Sequence, residues 1–346
     1  MSYKLIHTAA LLAAISFSAA AQQPQLDNTD RIRLAEAFRL ADTMGNRLWP
    51  GWAKAPFAVL LVTADNEFLI RHDKPSADFK LVNYDSILHS NVYVRKRTQP
   101  ANLLATFPIV GGIPTIVIGQ AENTAKKTST PWVITLLHEH FHQLQYSQSD
   151  YYPSVNSLDL TRGDKTGMWM LNYPFPYDWP EMHDHFSLLS SRLLKTLQTQ
   201  NTKQFEQNLS LYLAERRELE HTLSPDDYRY MSFQMWQEGI ARYTELRMAQ
   251  LAANRYKPSK AFKKLKDYKP FSEVALEIKR SIESELATGK IEQSKRVMFY
   301  ALGAGEGLLL DLVNSGWRTQ YFTDKFYLDH YFPKYNRRSH HFSVIS

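Results

Sequence analysis

The run His138-Glu139-His140-Phe141-His142 holds the residue types and the spacing best suited to chemistry in this chain. It contains H-E-x-x-H inside a segment with helical periodicity. Residues four apart on a helix stand one above the other, so His138 and His142 could chelate one metal ion. Glu139 is then placed to act as a base on a water held by that metal. His140 lies roughly 160° around the helix from both, so it cannot join them on the same ion. The plain alternative is a pair of solvated histidines flanking a core stripe of Ile134, Leu137, Phe141 and Leu144.

A tetrahedral zinc site open for catalysis needs a third protein ligand and one free position. The chain has no cysteine, so that ligand must be His, Asp or Glu. The best candidate is Glu238, in Trp236-Gln237-Glu238-Gly239-Ile240-Ala241-Arg242-Tyr243-Thr244-Glu245. Gly239 and Ala241 are small enough to let this helix come close to the first. Glu245 falls on the same face and could orient a ligand by accepting a hydrogen bond. An ion pair between Glu238 and Arg242 at i+4 is an equally ordinary reading.

These two segments, with Y-A-L-G at 300–303, resemble the gluzincin zinc metallopeptidases. The second is particularly similar to the membrane-alanyl-aminopeptidase branch, whose ligand helix carries E-G-F-A-x-Y-x-E. The resemblance implies a zincin-like fold and one zinc ion held by His138, His142 and Glu238. It implies Glu139 as general base, Tyr300 as donor to the oxyanion, and a peptide or protein substrate. It covers three short motifs in the right order, not the whole chain. There are departures: 95 residues lie between His142 and Glu238, so helices must be inserted between the ligand helices. The G-x-M-E-N segment of that branch is missing; Gly111-Gly112-Ile113-Pro114 stands in its place without an acidic residue. Aminopeptidase specificity is therefore not implied. Tyr300 also reads as a core residue in an apolar turn with Val297, Phe299 and Leu302.

The implied chemistry is hydrolysis. Zinc would lower the pKa of its water toward ~7. Glu139 would take the proton and pass it to the leaving amine, while Tyr300 would stabilise the oxyanion. An alternative from another class is a non-catalytic zinc-binding protein that keeps the site to hold a peptide or a cell-envelope ligand.

The elements that must position these residues fall into two parts. After a helix over 30–44, ended by Gly45, strands are expected over 57–63, 67–71, 91–96 and 113–118. Pro114 suits an edge, so 113–118 is the expected edge strand and the place where an extended peptide could add to the sheet. From 131 onward the pattern is helical, over 132–147, 180–196, 203–223, 228–253, 272–286 and 295–314, with an aromatic loop over 150–178. A small, mostly antiparallel sheet followed by a helical half indicates an α+β fold, with subdomains at 22–130 and 131–346.

The first 21 residues read as an export signal: Lys4, an apolar run from Ala9 to Phe17, and Ala19-Ala20-Ala21 as the cleavage site. The run is too short to span a bilayer and no second candidate follows. A periplasmic or extracellular protein is expected. Absence of cysteine removes disulfides and thiolate ligands. A net charge of +6 predicts no specific partner, and nothing indicates oligomeric state.

Other clusters carry less. Glu181, His183, Asp184 and His185 read as an exposed helix start, with Asp178 as its cap and Pro180 in the first turn. Two residues apart on a helix, the histidines cannot share an ion. The basic stretch 255–269 reads as a solvated linker, and an exported chain is not expected to bind nucleic acid. Gly303, Gly305 and Gly307 read as close helix packing. The tail from Arg337, with His340 and His341, reads as flexible and not metal-ligating.

Overall fold

The computed structural model describes residues 24–200 and 202–332. The expected export signal and the tail from Arg337 lie outside the described residues.

Helix α1, Asn28–Leu48, is capped by Asp27, whose side chain accepts from the Thr29 N–H. It runs through Gly45 and stops at Trp49, which is extended (φ −130°, ψ 120°). Pro50 disfavours the helical conformation for the residue before it, and the helix ends there and not at Gly45.

Six strands follow: β1 Val59–Val62, β2 Asn66–Ile70, β3 Lys80–Asp85, β4 Ser90–Lys96, β5 Leu104–Val110 and β6 Ile113–Gly119. They form one mixed sheet in the order β3-β4-β2-β1-β6-β5. Only the β1–β6 pairing is parallel. Side chains alternate as the pleat requires. Val59, Leu61, Phe68, Ile70, Ile116 and Ile118 enter the main core, while Leu60, Val62, Leu69 and Val117 form a smaller cluster on the other face.

The expected edge strand is interior: β6 lies between β1 and β5. The edges are β3 and β5, neither of them among the expected strands; Pro108 interrupts the pattern of β5. Its register breaks between Phe107 and Val110, so Pro108 sits at a bulge, where a missing N–H costs no ladder bond.

The helical half comprises α2 Ser129–Tyr146, α3 Pro180–Gln198, α4 Phe205–Thr222, α5 Pro225–Gln234, α6 Ile240–Arg255, α7 Phe271–Thr288 and α8 Met298–Val313. The segment 150–178 carries two short helices, Tyr151–Asn156 and Trp169–Asn172. Asp178 does not cap α3; it pairs with Lys295. The fold is α+β, as the order of elements indicates. Among the described residues no helix is long and apolar enough to cross a membrane.

Helix α2 lies on the sheet, fixed at both ends. The Trp132 indole N–H donates to Gly119 O at 2.9 Å. Gln143 Nε2 donates to Ala58 O and Pro114 O, each at 2.9 Å. Its N-terminus is capped from far along the chain: Asp267 accepts from the Ser129 N–H at 2.8 Å and from its hydroxyl at 2.7 Å. A carboxylate there also suits the positive end of the helix dipole. Buried Arg33 ties this corner together through Ser129, Asp30, Glu122 and Asp267.

Candidate metal centre

Helix α2 and the turn that precedes α6 bring His138, His142 and Glu238 together, although α3, α4 and α5 intervene in sequence. The turn that carries Glu238 is a π turn, Met235–Gly239, inserted between α5 and α6. Such turns leave carbonyls without their usual partners. Here Trp236 O accepts from the Tyr321 hydroxyl at 2.7 Å and Gln237 O from Gln145 Nε2 at 3.1 Å. Gly239 meets α8, not α2. A Cβ on Gly239 would stand 2.5 Å from the Gly303 Cα, so both positions must be glycine for the backbones to approach. That contact sets α6 against α8, and with it the place of Glu238 beside Tyr300.

The Nε2 atoms of His138 and His142 are 3.2 Å apart. Glu238 Oε2 lies 3.7 Å from the first and 3.4 Å from the second. Donors around a tetrahedral ion at 2.0–2.1 Å stand about 3.4 Å from one another. The three residues form a group that could hold a metal ion. Their non-coordinating atoms fit as well. His142 Nδ1 lies 2.6 Å from Gln145 Oε1, and the Gln145 amide nitrogen is already donating to Gln237 O and the Tyr321 hydroxyl. His142 Nδ1 also lies 3.2 Å from the Gln237 amide nitrogen; the shorter contact, to Gln145 Oε1, favours the hydrogen on Nδ1 and the Nε2 lone pair toward the group. His138 Nδ1 is buried without a hydrogen bond, and Glu245 Oε1 stands 3.5 Å from it. Arg242 holds Glu245 at 2.7 Å and reaches Glu285 at 3.3 Å. The expected alternative pair, Glu238 with Arg242, does not form.

Burial opposes a charged His142, yet the Glu238 carboxylate raises it to about 9. Burial likewise opposes the Glu238 charge, and the two imidazoles outweigh it, holding that carboxyl well below its usual range. A cation in this place would take over the role of the imidazole proton.

Glu139 is turned by its helical phase further round than the two histidines, toward solvent or substrate. It is 5 % exposed, and its Oε2 accepts from the Thr106 hydroxyl of edge strand β5 at 2.7 Å. Tyr300 opens α8, as its motif suggests, with its ring stacked on His138 (centroids 6.4 Å apart, 9° between planes). Burial and then Glu238 push its hydroxyl well above the ordinary tyrosine value. His140 faces the other way, stacked on Phe57 at 3.7 Å, and burial lowers it to about 3. The histidines of α3 are elsewhere, His183 against Tyr177 O and His185 against Glu215.

Sequence reasoning did not single out Thr106, Gln145, Gln237 or Arg296. Gln145 sits at i+3 from His142 and Arg296 at i−4 from Tyr300, so helical spacing offered a signal for both. Thr106 had none, because its strand was not recognised.

The chain matches no protein-family model, and neither a curated protein nor a solved structure shows significant similarity to it.

Proposed function

We propose that this chain is an exported zinc-dependent metallohydrolase that cleaves amide bonds in peptides, with chemistry of the gluzincin kind. The observation that carries it is the convergence of two imidazoles and one carboxylate at 3.2–3.7 Å, with a buried carboxylate on the adjacent residue. The three short motifs and the N-terminal segment support the family and the compartment respectively. His138, His142 and Glu238 would hold one zinc ion per chain, with Glu245 and Gln145 fixing the two rings. Bound zinc supplies Lewis acidity toward a carbonyl and acidifies water at its open position.

The remaining steps belong to side chains. Glu139 takes a proton from the attacking water and delivers it to the leaving amine. Thr106 holds one oxygen of Glu139, which leaves the other to face the water. Tyr300 donates toward the oxygen that gains negative charge. An extended peptide would lie along the free edge of β5, next to Glu139. The test is digestion of a peptide library by the full-length protein, with and without chelator, beside Glu139→Gln. Cleavage that stops with chelator and falls roughly 10²- to 10⁴-fold in the variant supports the proposal. Cleavage indifferent to both contradicts it. Metal binding without turnover would favour the zinc-dependent binding protein instead.

A further inference from the structure

Arg296 stands against the candidate ligand set without being consumed by it. It lies in a 3-10 turn, Lys295–Val297, that leads into α8. Its Nη1 donates to the Tyr300 hydroxyl at 2.9 Å and to Gln234 Oε1 at 3.4 Å, and stands 3.8 Å from Glu238 Oε1. All these contacts pass through one nitrogen. Among the described residues, Nε and Nη2 make no hydrogen bond, yet neither is a buried unsatisfied atom. Both therefore meet solvent, in a side chain that is 23 % exposed. The Nε–Nη2 edge of a guanidinium matches a carboxylate with two parallel N–H···O bonds.

Charge balance points the same way. Glu139 and Glu238 together offset a divalent ion, and Glu245 is offset by Arg242. Arg296, 3.8 Å from Glu238, would then be a surplus positive charge beside the ligand set. The backbone is also held in an uncommon state to put it there: Lys295 has φ 49° and ψ −133°, a conformation costly for a residue with a side chain. An ion pair to Asp178 fixes Lys295, and its ammonium lies 5.7 Å over the Tyr177 ring.

We propose that Arg296 is a specificity-determining residue that takes a substrate carboxylate on its free Nε–Nη2 edge, beside the bond to be cleaved. The proposal deepens the metallohydrolase reading and rests on it for there being a bond to cleave. Recognition of the anion itself requires only the solvent-facing edge of Arg296. The carboxylate could be a peptide's C-terminus or an acidic side chain, and the shared chemistry is a planar carboxylate next to the scissile amide.

The test measures binding by calorimetry to full-length Glu139→Gln protein, zinc-loaded and metal-free, so that turnover does not intrude. The probes are N-acetyl-trialanine as the free acid, the same peptide as its C-terminal amide, and that amide with aspartate as its last residue. At least one acidic form should bind roughly 10- to 100-fold more tightly than the neutral amide, and which one does identifies the source. Arg296→Gln should abolish the difference. Arg296→Lys should keep part of it, since an ammonium keeps the charge but not the paired bonds; it also serves as the test should Arg296→Gln not fold. Equal affinity for all three probes, no binding of any, or discrimination that survives Arg296→Gln would overturn the proposal. Failure of wild-type protein to cleave any peptide counts against the hydrolase reading and leaves the binding difference to be read separately.

Discussion

The Nδ1 atom of His142 lies 2.6 Å from Oε1 of Gln145, one helical turn further along α2. That contact is shorter than the 3.2 Å from the same nitrogen to the Gln237 amide nitrogen, and it favours the ring hydrogen on Nδ1, because the Gln145 amide nitrogen is committed to Gln237 O and Tyr321. The same glutamine thus contacts one candidate ligand and satisfies the π turn that presents another.

Replacing Gln145 with leucine removes both functions. The Gln145→Leu protein should fold and bind zinc roughly 10- to 100-fold more weakly than wild type, the usual cost of losing a partner behind a metal-binding histidine. Competition against a chromogenic zinc chelator measures this, with circular dichroism as the check on fold. Unchanged affinity would show that the contact does not orient the ring.

Thr106 is the only contact from the edge strand to the proposed base, among the described hydrogen bonds of Glu139. Thr106→Val keeps the shape and removes the hydroxyl. Turnover should fall roughly tenfold, the loss expected for one hydrogen bond to a charged group, with zinc content unchanged. Thr106→Ser should recover most of the loss. Equal turnover in Thr106→Val and wild type would remove Thr106 from the account.

Much of this was legible in the chain, for reasons that differ by residue. The i, i+4 spacing of His138 and His142 is a local property of a helix, and their Nε2 atoms do converge. The opposite phase of His140 was legible for the same reason, and its ring stacks on Phe57 away from the group. Glu238 was legible as a candidate but not as a neighbour of both imidazoles, since that depends on how α6 crosses α2. Gly239 was recognised as a close-approach position, yet its partner is Gly303 of α8; small residues reveal that something comes near without revealing what. Strand β5 was lost because Pro108 breaks its pattern, which hid Thr106 and misplaced the sheet edge. Arg296 was passed over because a lone arginine before a helix is ordinary on its own.

His140 gives a prediction with a definite sign. Its folded value is lowered from 6.5 to about 3, so an unfolded chain binds a proton that the folded chain refuses between those values. The stability penalty is absent above about pH 7.5 and grows as pH falls below 6.5, reaching about 2 kcal/mol by pH 5. His140→Phe abolishes it. Relative to wild type, the variant should gain about 2 kcal/mol of stability between pH 7.5 and pH 5 by urea unfolding, while its zinc content stays the same. A variant that loses zinc would mean that His140, not its neighbours, faces the metal.

Metal analysis of purified full-length protein beside Glu238→Ala decides whether His138 and His142 of α2 and Glu238 of the π turn hold one metal ion between them. One zinc per chain in the wild type, stripped by chelator, restored by added zinc and lost in Glu238→Ala with the fold intact, is the result expected. A carefully prepared wild-type protein that carries no transition metal and takes none up, or a Glu238→Ala variant that binds zinc as tightly as its parent, would contradict it.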